Sequence, residues 1–448
     1  MQASITLLGK RRFLPLFVTQ FLGAFNDNLF KTAMVLLVTY HIYSDPSKEA
    51  AFNAIAGGLF ILPFFLFSAL AGQLADGHDK AGLIRIIKTA EIAIMIFGAA
   101  GFLLDSVHLL LAALFAMGIH SAFFGPIKYA ILPQHLHKDE VLGGTGLVEA
   151  GTYAAILGGT IIGGLIAPPV AAGMVLMIAA AGWFAGRQVP PALPVVEDHR
   201  FDPHIIRASI RLVRDAMRVR RLDLAILCIS FFWAVGTVLA SQFPPLVKNE
   251  FNANQHVATL FLALFSIGVA FGSILINRLL KGEVSARYSP VSALVMSAFV
   301  VDLCWAAAHW PQGDGRLIGL SAFIAHPEAV RVMIDLFGVA VAGGMFVVPL
   351  YAFLQITVPP SATARTIAAN NIVNSAFMVL AALIAALLAM FNVKVPHILL
   401  LVAVGGTIAA WIAWMLHRVC ENHSAQEARK EYEARDKGKR KGANIVRS

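Results

Sequence analysis

Charge is scarce in this chain: Asp, Glu, Lys and Arg make up 14% of its 448 residues, against 58% hydrophobic ones. A soluble domain of that length cannot hide so much apolar surface in one core, so lipid must cover most of it. Cysteine is nearly missing as well. Cys228, Cys304 and Cys420 stand at no spacing that suits a disulfide framework or a metal site, and read as small packing residues. There is no G-x-x-x-x-G-K-[ST] phosphate loop, which disfavours ATP-driven pumping. Neither a His/Cys cluster nor a nucleophile-elbow sequence is present. No catalytic residue, metal or cofactor is therefore expected, and His135 and His137 read as solvated loop residues. The first apolar segment, Phe13 to Tyr40, is too long for a signal-peptide h-region and reads as a retained helix.

What is there is a succession of apolar stretches of about 18 residues or more, each able to cross a hydrocarbon core of about 30 Å as a helix. Twelve are placed, at about 13–40, 51–73, 86–104, 107–127, 143–166, 169–187, 222–246, 258–279, 289–310, 331–356, 366–391 and 395–417. The expected fold class is all-α and integral to a membrane, with twelve transmembrane helices in two six-helix halves. The longest polar stretch, Arg187 to Asp223, divides them. Residues 1–187 are expected as the N-terminal half, 188–221 as a cytoplasmic linker, 222–417 as the C-terminal half and 418–448 as a charged cytoplasmic tail without fixed structure. Two halves of inverted three-helix repeats place a substrate path between them.

Positive charge orients the chain. Segments that a cytoplasmic N-terminus would put inside hold roughly 29 of the 35 Lys and Arg, which predicts both termini in the cytoplasm. The net charge of +9 then needs no nucleic-acid partner. Within the linker, Arg207, Arg211, Arg214, Arg218 and Arg221 recur at helical spacing beside an apolar stripe of Ile206, Ile210, Val213 and Met217. This is the pattern of an amphipathic helix whose arginines face anionic headgroups, or of a solvated linker.

An ionisable group inside a spanning helix costs at least about 2.5 to 3.5 kcal/mol, so each needs a reason. Counted from Arg12, Asp27 lies about 22 Å into the core. Lys31, one turn on, either pairs with it or snorkels outward. Asn26 and Asn28 flank Asp27 and can hydrogen-bond a substrate or a neighbouring helix. Glu149 lies about 13 Å deep, near the midplane, as a proton carrier, a partner for a cation or a structural acceptor. Asp302 is its counterpart in the second half. Glu91 with Lys88 and Asp335 with Arg331 read as local pairs near helix ends. Asn370, Asn371 and Asn374 cluster on one helix face, as a wet pathway or as interhelical contacts. Gly125-Pro126, Gly343-Gly344 and Pro349 interrupt helices, while Gly158, Gly159, Gly163 and Gly164 read as close helix contacts.

Several segments carry a family resemblance. Gly72-Gln73-Leu74-Ala75-Asp76, continuing to Asp79, Lys80 and Arg85, resembles the loop signature of the major facilitator superfamily, which implies a gating role for Gly72, Asp76, Lys80 and Arg85. The run from Gln20 to Asn28, the segment Gly125 to Pro133, Leu147 to Thr152, Gly343 to Leu350 and Ala368 to Ile372 together resemble bacterial lysophospholipid transporters, over residues 13 to 417 or so. They also resemble the transporter domain of acyl-ACP synthetase/acyltransferase fusion proteins. The resemblance implies a flippase of the bacterial inner membrane. It would move lysophosphatidylethanolamine and lysophosphatidylglycerol from the periplasmic to the cytoplasmic leaflet by alternating access. Reacylation would fall to a separate acyltransferase or acyl-ACP synthetase.

In that reading the headgroup sits among Asp27, Lys31 and Glu149, the carboxylate meeting an ammonium and the lysine a phosphate. A proton-coupled exporter of drugs or small amphiphiles is the alternative, and a membrane scaffold that docks a reacylating enzyme is a third reading.

Overall fold

In the computed structural model, residues 6–38, 42, 46–194, 202, 204–311, 316–391 and 393–445 are described. Twelve long helices follow one another. The first six are α1 (Leu14–Leu37), α2 (Pro46–Gly77), α3 (Lys80–Leu103), α4 (Val107–Ala130), α5 (Val141–Leu165) and α6 (Pro168–Arg187). The second six are α7 (Arg220–Asn249), α8 (Gln255–Leu279), α9 (Ser289–Ala308), α10 (Ala329–Thr357), α11 (Thr363–Met390) and α12 (Val395–Ile445). A shorter linker helix, Ile205–Met217, stands between the two sets.

Eleven of the described helices are long and apolar enough to cross a membrane. The twelfth is α1, whose 24 residues reach about 36 Å and whose Asn26-Asp27-Asn28 run lowers its hydropathy. In lipid every backbone polar group must be satisfied internally, which leaves helices as the only spanning form for such segments. Their starts are marked locally. Pro15, Pro168 and Pro290 sit in first turns, where a missing N–H leaves nothing unpaired. The Asp79 carboxylate caps α3, accepting the N–H groups of Ala81 and Gly82 at 3.2 and 3.0 Å.

Past residue 417 the α12 backbone continues as helix to Ile445. Its Ala, Glu, Lys and Arg content favours helix over coil. The side chains beyond Glu421, among them Lys437, Lys439, Arg440 and Lys441, lie outside the described residues.

In the first set α1 packs on α5 and α6, α2 on α4, and α3 on α4 and α6; in the second α8 and α9 pack on α10, and α7 and α9 on α12. The sets meet chiefly through α2 against α11 and α5 against α8. Glycine permits the closest approaches: a Cβ at Gly159 would collide with the Phe25 carbonyl of α1, and one at Gly163 would lie 2.6 Å from that of Leu29.

Buried side chains divide in a way that defines two ends of the molecule. On the side carrying the linker helix, one continuous core joins both sets, from Phe13, Ile127, Tyr129 and Leu147 to Phe346, Tyr351 and Ile367. Towards the far side there are two separate cores. One holds Phe30, Met34, Met95 and Leu114 of the first set, the other Phe243, Phe261, Leu303 and Leu336 of the second. The halves are fused at the linker end and part company towards the other.

Candidate functional site

Where the halves part lies a chamber of about 380 Å³, walled by α1, α2 and α4 on one side and by α7, α10 and α11 on the other. Asp27, Asn28 and Lys31 of α1 line it. The Asp27 Oδ2 accepts a hydrogen bond from Ser121 of α4 at 2.7 Å. Lys31 does not pair with Asp27. Its ammonium lies 5.9 Å from the Phe60 ring centroid, and no carboxylate is within ion-pair distance of it among the described residues. The two groups therefore face the chamber as separate charges. Asn28 turns its amide back to the Ala24 carbonyl at 2.8 Å.

Asn26 points elsewhere. It is buried and donates to Glu91 at 3.1 Å and to the Val175 carbonyl of α6 at 3.2 Å, inside the first half. Glu91 is not an interface residue. It pairs with Lys88, as the spacing predicts, but both side chains are only 1% exposed, and the His120 ring nitrogen stands 3.2 Å from the same carboxylate. Lys88 and His120 also border the chamber. Hydropathy placed Lys88 near a helix end, and only the packing of α3 against α4 and α6 shows how deep it sits.

Lys128 is a chamber cation too, with its ammonium 4.8 Å from the Tyr129 ring. It stands within the segment Gly125 to Pro133, just past the apolar stretch that ends near residue 127, where the sequence gives no sign of a chamber. Its neighbour in sequence sets the floor. Tyr129 stacks on Tyr351 of α10 and donates its hydroxyl to Glu149, which is buried behind the chamber wall and not on it. Trp233 of α7 donates to the Tyr351 hydroxyl at 2.7 Å. On α11, Asn371 and Asn374 line the chamber, Asn374 accepting from Ser230 at 2.7 Å, whereas Asn370 is fully buried outside the lining.

Below this floor the linker side is closed in two further layers. Gln355 of α10 donates to Thr145 of α5 at 3.0 Å, across the halves. Nearer the surface, Asp76 at the end of α2 accepts the Arg365 guanidinium at 2.9 Å and the N–H groups of Ala364 and Arg365, both at 3.1 Å. A carboxylate at the first turn of α11 also meets the positive end of that helix. Gly72 makes the approach possible, since a Cβ there would stand 2.7 Å from that of Ala368. Lys80 is buried near this turn, its backbone N–H bonded to the Ala192 carbonyl at 3.1 Å, while Arg85 is exposed on α3. Asp302, expected as a counterpart of Glu149, instead holds Arg331 at 2.5 and 3.0 Å outside the chamber.

The arrangement is a polar pocket with charged groups and aromatic walls, closed at the linker end between the two helix sets. Charged, polar and aromatic groups thus face one space between the halves. The lysophospholipid transporter LplT of Serratia proteamaculans is 25% identical over 357 residues, 77% of this chain and 80% of that protein. The lysophospholipid transporter LplT of Salmonella newport is 26% identical over 359 residues, 78% and 81% of the two chains.

Among solved structures, the human organic anion transporter MFSD10 superposes with a TM-score of 0.73 at 12% identity, over 90% of this chain and 99% of that one. A bacterial homologue of the iron transporter ferroportin, in an outward-facing state, superposes with a TM-score of 0.69 at 13% identity, over 91% and 99%. With the family model of the Major Facilitator Superfamily matching residues 16–382, the chain belongs to that superfamily of membrane transporters.

Proposed function

We propose that this transporter carries lysophospholipids, taking lysophosphatidylethanolamine and lysophosphatidylglycerol from the periplasmic leaflet of a bacterial inner membrane to the cytoplasmic leaflet. The observation that carries the reading is the presence of separate charges of both signs in one small chamber. Asp27 faces it as a carboxylate hydrogen-bonded by Ser121, and Lys31 and Lys128 face it as cations with no carboxylate in ion-pair distance among the described residues. A headgroup with an ammonium and a phosphate matches both signs. Phe60, Phe64 and Met378 line the same space and offer an apolar side to the start of an acyl chain. The rest of the chain is better left in lipid, since each methylene drawn into water costs about 0.8 kcal/mol.

The linker side, with most of the Lys and Arg, is read as cytoplasmic, so the chamber is poised to load from the periplasm. Alternating access then requires the Tyr129–Tyr351, Thr145–Gln355 and Asp76–Arg365 contacts to part while the far ends close. Delivery to the cytoplasmic leaflet would supply a separate acyltransferase or acyl-ACP synthetase.

The test is movement of labelled lysophosphatidylethanolamine between leaflets of liposomes holding the purified protein. Transport that Asp27→Asn and Lys128→Ala each reduce at least tenfold is expected. Wild-type rates in both variants would rule this headgroup site out. One observation favours a second reading, proton-coupled export of a small amphiphile: Glu149 is a buried carboxyl hydrogen-bonded to the gate tyrosine Tyr129. That reading predicts export that collapses when the proton gradient is dissipated, whereas a passive flippase keeps its rate.

A further inference from the structure

The linker helix, Ile205–Met217, has more apolar surface than the transporter covers. Ala208, Leu212 and Val213 pack against Ala69 of α2 and Ile372 of α11, and Ser209 and Ala216 are buried beside them. Because α2 belongs to one half and α11 to the other, the helix straps the seam between them. Ile206 and Ile210 take no part in this packing and are 72% and 62% exposed. At about 100° per residue, Arg207, Arg211, Arg214 and Arg218 form a row about 90° further round. One open surface runs from the isoleucines to Arg207, Arg211 and Arg214.

The row is only partly neutralised. Asp202 binds Arg207 at 2.9 Å and Arg211 at 3.3 Å, Asp215 stands 3.7 Å from Arg218, and Arg214 has no carboxylate partner among the described residues. Asp202 is itself fixed to the end of α2, its N–H donating to Gln73 at 2.8 Å. Hydrogen bonding from Arg207, and then from the His204 N–H, holds the Asp202 carboxyl down at about 2, so the pair is ionised at any physiological pH.

We propose that this face docks on the anionic phospholipids of the leaflet it borders, the two isoleucines entering the boundary between headgroups and acyl chains and the arginines meeting phosphates. A helix with exposed branched aliphatic residues flanked by arginines, lying at the ends of spanning helices, matches that interface in both polarity and charge. A free anion would satisfy the arginines and leave the isoleucines in water. The strap is thereby held at the membrane surface whichever way the halves rock. The inference is independent of the transported substrate.

The test uses the full-length protein with its three cysteines replaced and Ile206→Cys labelled with an environment-sensitive fluorophore, in nanodiscs of phosphatidylcholine or of phosphatidylcholine mixed with phosphatidylglycerol. Emission should move to the blue with phosphatidylglycerol and be quenched by nitroxide-bearing acyl chains. The lipid-dependent shift should fall several-fold when Arg207, Arg211, Arg214 and Arg218 are all replaced by Gln. High salt should weaken it in the parent protein, which keeps the idea open to refutation if the fourfold variant does not fold. A probe equally water-exposed in both lipids would overturn the proposal and leave the face to a soluble partner, and so would a shift that survives both salt and the Gln substitutions.

Discussion

Tyr129 of α4 and Tyr351 of α10 lie face to face, their ring centroids 4.7 Å apart and their planes 8° from parallel. Each ring is oriented from its own half, Tyr129 by Glu149 and Tyr351 by Trp233. The stack is thus a contact between two separately built bodies, and it forms the floor of the chamber. Such a pair contributes about 0.5–1.5 kcal/mol beyond its buried area. Tyr351→Ala should therefore favour the state open on the linker side by about 2- to 10-fold. Faster reaction of a cysteine placed at Ser121 with an impermeant maleimide supplied from that side would report it, and unchanged labelling would assign the closure to other contacts.

Asp76 joins the same two bodies nearer the surface. Its charge meets a guanidinium and the N-terminus of α11 at once. Asp76→Asn keeps the shape and loses the charge, which should weaken the closed linker side by about 1–3 kcal/mol. Arg365→Gln added to it should cost little more, because both changes remove one interaction. Distances between spin labels on α2 and α11 measure the shift, and fully additive effects would contradict the pairing.

Lys88, Glu91 and His120 make a prediction about stability. Glu91→Gln leaves a lysine in the interior without its counter-charge, and breaking a buried pair from one side costs about 3–5 kcal/mol. Melting in detergent should drop by several degrees or more. Replacing Lys88 and Glu91 together by Met should be much milder, since no lone charge then remains. A double variant as unstable as Glu91→Gln would show that packing matters here more than charge.

Glu140, just before α5, ties the start of the chain to the α4–α5 turn. It accepts Lys10 at 2.9 Å and Arg12 at 2.7 Å. Partial burial raises its pKa, but hydrogen bonds from Lys10, the His137 N–H and Arg12 outweigh this and hold it at about 2, below the ordinary 4.5. A depressed carboxyl stabilises the fold above its unfolded pKa and loses that effect as pH falls through the folded one. The contribution should be complete above about pH 4.5 and fade towards pH 2. Glu140→Gln should lower the melting temperature at neutral pH and flatten its fall across that acid range. An unchanged acid limb would place the titrating group elsewhere.

Much of this architecture is legible in the residues alone. Spanning helices declare themselves by run length and composition, because lipid forces each apolar stretch to satisfy its own backbone. Depth along a straight helix is simple arithmetic, so Asp27 is placed well inside the membrane without a structure, whereas the same arithmetic leaves Lys31 either paired with it or snorkelling outward. Less legible is the direction in which a side chain points around its helix. Asn26 and Asp27 are neighbours, yet one faces α6 and the other the chamber. Lys88, read from the sequence as part of a local pair near a helix end, turns inward, and Lys128 faces the chamber.

The sequence by itself determined the membrane location, the number and order of the helices, the basic linker with its amphipathic period, and the family. All of these depend on local composition and spacing. Tertiary structure alone decided which charges meet. Lys31 stands apart from Asp27, one turn away, while Glu91 gathers Lys88, His120 and Asn26 from three helices. Contacts between residues hundreds of positions apart, such as Asp76 with Arg365 or Thr145 with Gln355, depend on how two halves are pressed together. No periodicity within either segment encodes that.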